Sequence, residues 1–365
     1  MYHLSKGLAC LGHDVQVLTS NSSEGEKEIE NDLFTVKRLP TPVYCLGFPI
    51  VSSLKEVLKT DVDLIHVHVN SPILAETAAL GSVFRKIPLV VTYHSDTYAK
   101  EARSSFRKLW FIAEPLYDNL LKRQLCRIAK RITISTPVYL KKSPFLRKFE
   151  DKVVVIPHGV DHGRFYMDAG IGEKFKIECG FPRETKIITY VGRLAPYKGL
   201  PTLLKAFHCV LRETKDVVLV VVGKGMMEKE LKALAFDLKI QDAVIFAGEV
   251  GDEVLPSFYR MSDVFVLPSR SGAESFGLSL LEAMSCGIPV VASNVGGVPY
   301  VVGDGGVLVR PNSPLEMAEA LERVLSDQAL RQELSGKALK ESFRFSWDVM
   351  AKEMEKLYIE LLNHR

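Results

Sequence analysis

No apolar run in this chain approaches the roughly 20 residues that a membrane-spanning helix needs. The longest, such as VVLVVVG at 217–223, are of strand length. The opening residues lack the basic-then-apolar order of a secretory signal. Close cysteine pairs are missing too. Cys10, Cys45, Cys126, Cys179, Cys209 and Cys286 are scattered, with no C-x-x-C among them. That spread fits free thiols in a reducing compartment better than a disulfide framework or a zinc site. Net charge is only +3, so charge alone gives no reason to expect nucleic acid as a partner. No Asp-x-Asp run stands at the carboxyl end of a strand, where it could hold Mg²⁺. These absences lead to the expectation of a cytoplasmic protein, with the inner face of a membrane as the one lipid surface it could rest on.

A length of 365 residues exceeds one ordinary core and favours two domains. Charge is uneven along it. Residues 1–160 hold 22 Lys/Arg against 16 Asp/Glu, which leaves 25 against 28 for the rest. The excess gathers in 100–152, in KEARSSFRKLW, KRQLCRIAKR and KKSPFLRK. A solvated basic face accounts for this, and so does a surface for anionic lipid or an anionic acceptor.

Short Val/Ile-rich runs alternate with longer helical periods. The runs at 14–20, 63–69, 87–94, 131–135 and 152–157 predict strands, with helices over about 72–85 and 101–130. A second series at 186–192, 217–223, 243–248, 263–268, 288–293 and 306–310 alternates with helices over about 199–213, 226–238, 277–286 and 314–327. Nearly continuous apolar strands are those of parallel sheets buried on both faces. Alternation with helices predicts two doubly wound, Rossmann-like α/β domains. PHGVDHGRF (157–165) reads as the hinge, dividing 1–160 from 161–343. An amphipathic helix within 344–365 is free to cross back to the first domain. The start is unusual. Residues 1–11 already read as helix, stopped by Gly12, where such a domain normally opens on a strand and a tight loop.

Two motifs carry chemistry. In VGRLAPYKG (191–199) a strand ends at Gly192, and Arg193 and Lys198 share the short loop before a helix that begins at Gly199. Ligands of open α/β sheets bind beyond the carboxyl ends of strands, where a planar guanidinium and an ammonium suit a diphosphate. Alone, it is equally an ordinary basic turn. In ESFGLSLLEAMSCGIPVVAS (274–293), Glu274 lies in a loop and Glu282 about one and a half turns into the following helix. The N–H groups of Phe276, Gly277 and Leu278 form a candidate anion site, and carboxylates beside it would suit sugar hydroxyls. Taken singly, Glu274 is explained as a helix-entry carboxylate and Glu282 as a solvated helix residue. Together the motifs follow the first and fourth strands of one domain.

With both in this order, the chain resembles the retaining glycosyltransferases of family 4, whose GT-B fold has two Rossmann-like domains facing across a cleft. The resemblance rests on Gly192-Arg193-Leu194, Lys198-Gly199, Glu274-Ser275-Phe276-Gly277-Leu278, Glu282-Ala283, Cys286-Gly287-Ile288-Pro289-Val290 and Gly296-Gly297. IPHGVD (156–161) is similar to the family's IPNGVD, with His158 in place of Asn. It implies transfer of a hexose from a UDP- or GDP-linked sugar to a glycan or lipid-linked acceptor in polysaccharide biosynthesis, with retention of configuration, no cofactor and no metal. Arg193 and Lys198 would bind the diphosphate and stabilise its departure. Glu274 would contact the hexose, Glu282 the ribose, and the backbone of 276–278 the phosphate. His94, ending the strand TYHSDTY (92–98), would face the donor sugar. His68 and Asp96 are weaker candidates.

Measured against that family, the first strand and its Gly-rich loop are missing before residue 1. The expectation is therefore impaired transfer with nucleotide-sugar binding retained. The alternative function is a nucleotide-sugar-binding protein without turnover. An epimerase on the same fold suits the Arg-Lys and paired-Glu arrangement less well.

Overall fold

The computed structural model describes residues 1–20, 28–30, 33–41, 43–45, 48–69, 73–94 and 118–363. The chain divides into two compact units. One comprises Met1–Pro157 with Trp347–Arg365, and the other His158–Ser346.

The second unit is built on six parallel strands: β10 (Lys186–Val191), β11 (Val217–Val222), β12 (Val244–Gly248), β13 (Val264–Leu267), β14 (Val290–Ser293) and β15 (Gly306–Val309). Their spatial order is β12-β11-β10-β13-β14-β15. Valine and isoleucine dominate β10, β11, β13 and β14, and nearly every residue in them is buried. Covered on both faces, they lose the in–out alternation of a one-sided sheet. The helix Leu200–Glu213 packs on Pro314–Ser326, and Leu278–Ser285 packs on Gln328–Ser342. Chain order reverses between β10 and β13, which are hydrogen-bonded neighbours. That reversal opens a crevice at their carboxyl ends. The segment read as a hinge is tied into this unit from His158 onward. Val160 N–H donates to Phe345 O, and the Asp161 carboxylate accepts from the N–H groups of Gly163 and Arg164.

The first unit carries the parallel sheet β6 (Ile65–His68), β7 (Leu89–Thr92), β8 (Arg131–Ile134), β9 (Val153–Val155), in that spatial order. A separate sheet orders β1 (Gln16–Ser20), β3 (Thr35–Leu39) and β2 (Glu28–Glu30), with β2 antiparallel. β4 (Val43–Cys45) and β5 (Phe48–Ile50) form a hairpin. The strands from 28 to 50 are absent from the expectation. β2, β4 and β5 span only three residues each, too few to show a period. The helix Tyr2–Cys10 ends as expected, with Gly12 at a positive φ of 95°. It packs on Trp347–Asn363, and Leu4, Leu8, Met350, Met354 and Leu357 share a core with Val90 and Ile156.

The helix expected over 101–130 lies partly outside the described residues. Its described end is a π turn at Asp118–Lys122 running into the helix Arg123–Ile128. Among the described residues of 118–152, the expected basic surface is corrected at Lys122. Lys122 is buried, its ammonium 5.0 Å from the Tyr93 ring centre and 5.1 Å from that of Phe145. Arg127, Lys130, Lys141, Lys142, Arg147 and Lys148 are exposed.

Candidate active site

β10 runs out at Val191, and the chain turns through Gly192 and a 3-10 turn at Pro196–Lys198. Gly199 then caps the helix Leu200–Glu213 at φ 74°. A β-carbon on Gly199 would lie 1.9 Å from the carbonyl oxygen of Pro268, the residue after β13. Glycine is thus required for the two loops to touch. Arg270 N–H donates to Tyr197 O across the same junction.

Within this junction Lys198 Nζ donates to Glu274 Oε2 over 2.7 Å. Ser269 Oγ donates to the same oxygen over 2.8 Å. Glu274 is buried and Ser269 fully so. The Glu274 backbone is gripped as well. Its carbonyl accepts from Gly297 N–H, and a β-carbon on Gly296 would come within 1.9 Å of it. The glutamate is a fixed member of the site rather than a loose helix-entry carboxylate.

Arg193 is exposed, and its guanidinium donates to the Tyr197 hydroxyl over 2.9 Å. The Tyr197 ring lies beside both cations, 5.9 Å from the guanidinium of Arg193 and 5.3 Å from Lys198 Nζ. Tyr190, at the end of β10, donates to Arg193 O. Gly277, at φ 85°, caps the helix Leu278–Ser285, and Leu278 is exposed at its first turn. Phe276 is buried, edge-on to His158 and to Phe345.

Glu282 stands where the spacing places it but is only partly exposed. Tyr259, fully buried, donates its hydroxyl to Glu282 Oε2 over 2.6 Å. Burial pushes the Glu282 carboxyl up to about 7, Asp252 adding to the rise. The Tyr259 bond and the Arg164 charge favour ionisation. The Tyr259 phenol is pushed well above its ordinary range, first by burial and then by Glu282.

In the first unit, His94 follows β7, with its Nε2 2.9 Å from Nδ1 of His68 on β6. Burial pushes His94 down to about 4. Asp96 lies outside the described residues. The structure thus joins Lys198 to Glu274 and sets Arg193 beside them through Tyr197, while Tyr259 bonds Glu282 and His68 bonds His94. Sequence reasoning misses Ser269, Tyr197 and Tyr259: the first two bond within irregular loops that have no period, and Tyr259 reaches Glu282 from another helix.

The description Glycosyltransferase Family 4 matches residues 1–164, and Glycosyl transferases group 1 matches 173–341. An uncharacterized glycosyltransferase of Methanocaldococcus jannaschii is 30% identical over 97% of this chain and 92% of its own. The chain belongs to glycosyltransferase family 4. It is a GT-B protein, built on two parallel-sheet α/β units. Sucrose-phosphate synthase from Thermosynechococcus elongatus shares the fold at a TM-score of 0.80 and 23% identity, over 99% of this chain and 92% of that one. HepE of Anabaena, solved in complex with UDP and glucose, shares it at a TM-score of 0.68 and 21% identity, over 88% and 85%. As a family member the chain is a glycosyltransferase. No helix among the described residues is long and apolar enough to cross a membrane.

Proposed function

We propose that this glycosyltransferase moves a hexose from a UDP- or GDP-linked sugar to a glycan or lipid-linked acceptor, with retention of configuration and without a metal ion. The reading is carried by the Lys198–Glu274 pair at the strand reversal, with Arg193 on the same loop. Glycosyl transfer breaks the bond between the anomeric carbon and the diphosphate, so negative charge develops on the leaving oxygen. Arg193 and Lys198, with the first-turn N–H groups of Leu278–Ser285, supply preorganised positive charge there. Both bonds to Glu274 fall on Oε2, which leaves Oε1 for a hexose hydroxyl. Glu282 takes the ribose hydroxyls, and His94 contacts the hexose. The family relationship and the UDP complex of HepE support the donor class. Exposed cations between Arg127 and Lys148 suit an anionic membrane surface on the cytoplasmic side.

A thermal-shift screen of UDP-, GDP- and ADP-sugars names the donor, and diphosphate release that survives EDTA supports metal independence. Arg193→Ala with Lys198→Ala should weaken nucleotide binding about 100-fold, because two charge-assisted hydrogen bonds to phosphate are removed. Unchanged affinity would remove the phosphate assignment.

A further inference from the structure

His66 and His68 stand two residues apart on β6 and therefore share one face of the sheet. In the parallel register His66 pairs with Val90 and His68 with Thr92. His94, two beyond Thr92, comes to the same face. The three rings stack, with His66–His68 centres 4.8 Å apart at 26° and His68–His94 centres 5.1 Å apart at 21°. The inner end of this stack is pinned. His66 Nδ1 is 2.5 Å from the Tyr358 hydroxyl, on the helix Trp347–Asn363. His66 Nε2 is 2.7 Å from Thr92 Oγ1, which lies 2.6 Å from Thr133 Oγ1 on β8. The outer end is the 2.9 Å contact between His68 Nδ1 and His94 Nε2.

An N···N bond between neutral imidazoles needs one proton and one lone pair. The tautomers of the two rings are then complementary, and setting one sets the other. Burial keeps His94 uncharged at neutral pH, so its Nε2 carries either the proton or the lone pair of this bond, and its tautomer follows from which. We infer that His68 is a positioning residue, fixing the ring plane and tautomer of His94 so that one defined ring nitrogen meets the donor sugar. The kinetic part of this inference rests on the role proposed above for His94. The tautomer part does not.

Two variants separate the bond from the stack. His68→Phe keeps an aromatic ring in the stack and removes the nitrogen. His68→Asn removes the ring and keeps a polar atom near the place of Nδ1. The deciding measurement is the ring nitrogen spectrum of the full chain carrying ¹⁵N-histidine. The expected result is one tautomer at His94 in the parent and a changed tautomer population at His94 in His68→Phe. His94 nitrogen shifts unchanged in His68→Phe would overturn the inference, whatever the activity. In parallel, hydrolysis of UDP-glucose and GDP-mannose gives the kinetic reading. His68→Phe should lower kcat about tenfold with little change in KM, and His68→Asn should recover most of it. Full kcat in His68→Phe, or the reverse ranking of the variants, would count against positioning through the bond. Full turnover in His94→Ala would instead sink the role of His94 itself, leaving the spectrum to judge the pairing.

Discussion

The ammonium of Lys198 and the carboxylate of Glu274 lie 2.7 Å apart with side chains only 12% and 9% exposed. A buried ion pair of this kind is costly to break by removing one partner, because the other charge stays buried without compensation. Lys198→Ala leaves Glu274 with Ser269 alone. We expect a loss of about 3 kcal/mol. For a unit of this size that lowers the thermal midpoint by roughly 6–12 °C. Lys198→Met combined with Glu274→Gln should recover most of it, since neither charge remains. Additive losses in the double variant would show that the two side chains do not depend on each other.

Glu282 gives a pH dependence of definite sign. Its carboxyl is raised to about 7 in the folded chain from an ordinary value of 4.5. The folded state therefore holds this proton more tightly than the unfolded chain does. Stability from this group falls as pH rises between those two values and levels off above about 7. Glu282→Gln should remove that slope, so its midpoint gains on the parent between about pH 5 and pH 8. UDP affinity runs the other way, because the ionised carboxylate is the better acceptor for ribose hydroxyls. Titration calorimetry should show parent affinity rising through about pH 7 and a flatter profile in the variant. Identical profiles would remove Glu282 from the nucleotide site.

The same residue marks the limit of what is legible in the sequence. The valine runs of β11, β13 and β14 announce buried parallel strands, because burial on both faces leaves a local signature. The positions of Glu274 before a helix and Glu282 inside it follow from Gly277 as the cap. What Glu282 touches does not follow. Tyr259 reaches it through packing of helices that no local period encodes. Lys198 meets Glu274 only because β10 and β13 become neighbours, while Ser269 reaches it within the loop after β13. Lys122 shows the same limit. In KRQLCRIAKR it looks like one more surface cation, yet Tyr93 and Phe145 enclose it.

Tyr259→Phe tests the Glu282 bond directly. The hydroxyl favours the ionised carboxylate, so its loss should drive the Glu282 pKa higher still. At about pH 7 fewer molecules then carry the carboxylate, and UDP affinity should drop about tenfold, as for a hydrogen bond to a charged group. At about pH 8.5 more of the carboxylate is ionised and the deficit should shrink. A deficit independent of pH would mean that Tyr259 acts through packing alone.

Gly199 is where the β10 loop presses on the end of β13. Its φ of 74° disfavours any side chain, and a β-carbon would stand 1.9 Å from Pro268 O. Gly199→Ala adds steric overlap to the backbone strain, which alone costs about 1–3 kcal/mol. Relief requires the loop to lift away from β13, and Lys198, the preceding residue, lifts with it. The Lys198–Glu274 bond is then broken together with the placement of the cation for phosphate. We expect a midpoint lowered by several degrees and nucleotide affinity reduced more than about tenfold, as for one charge-assisted hydrogen bond. Gly251→Ala is the control, since a β-carbon there meets nothing within 4 Å. A Gly199→Ala protein that binds UDP as the parent does would show that contact between the two loops is not what places Lys198.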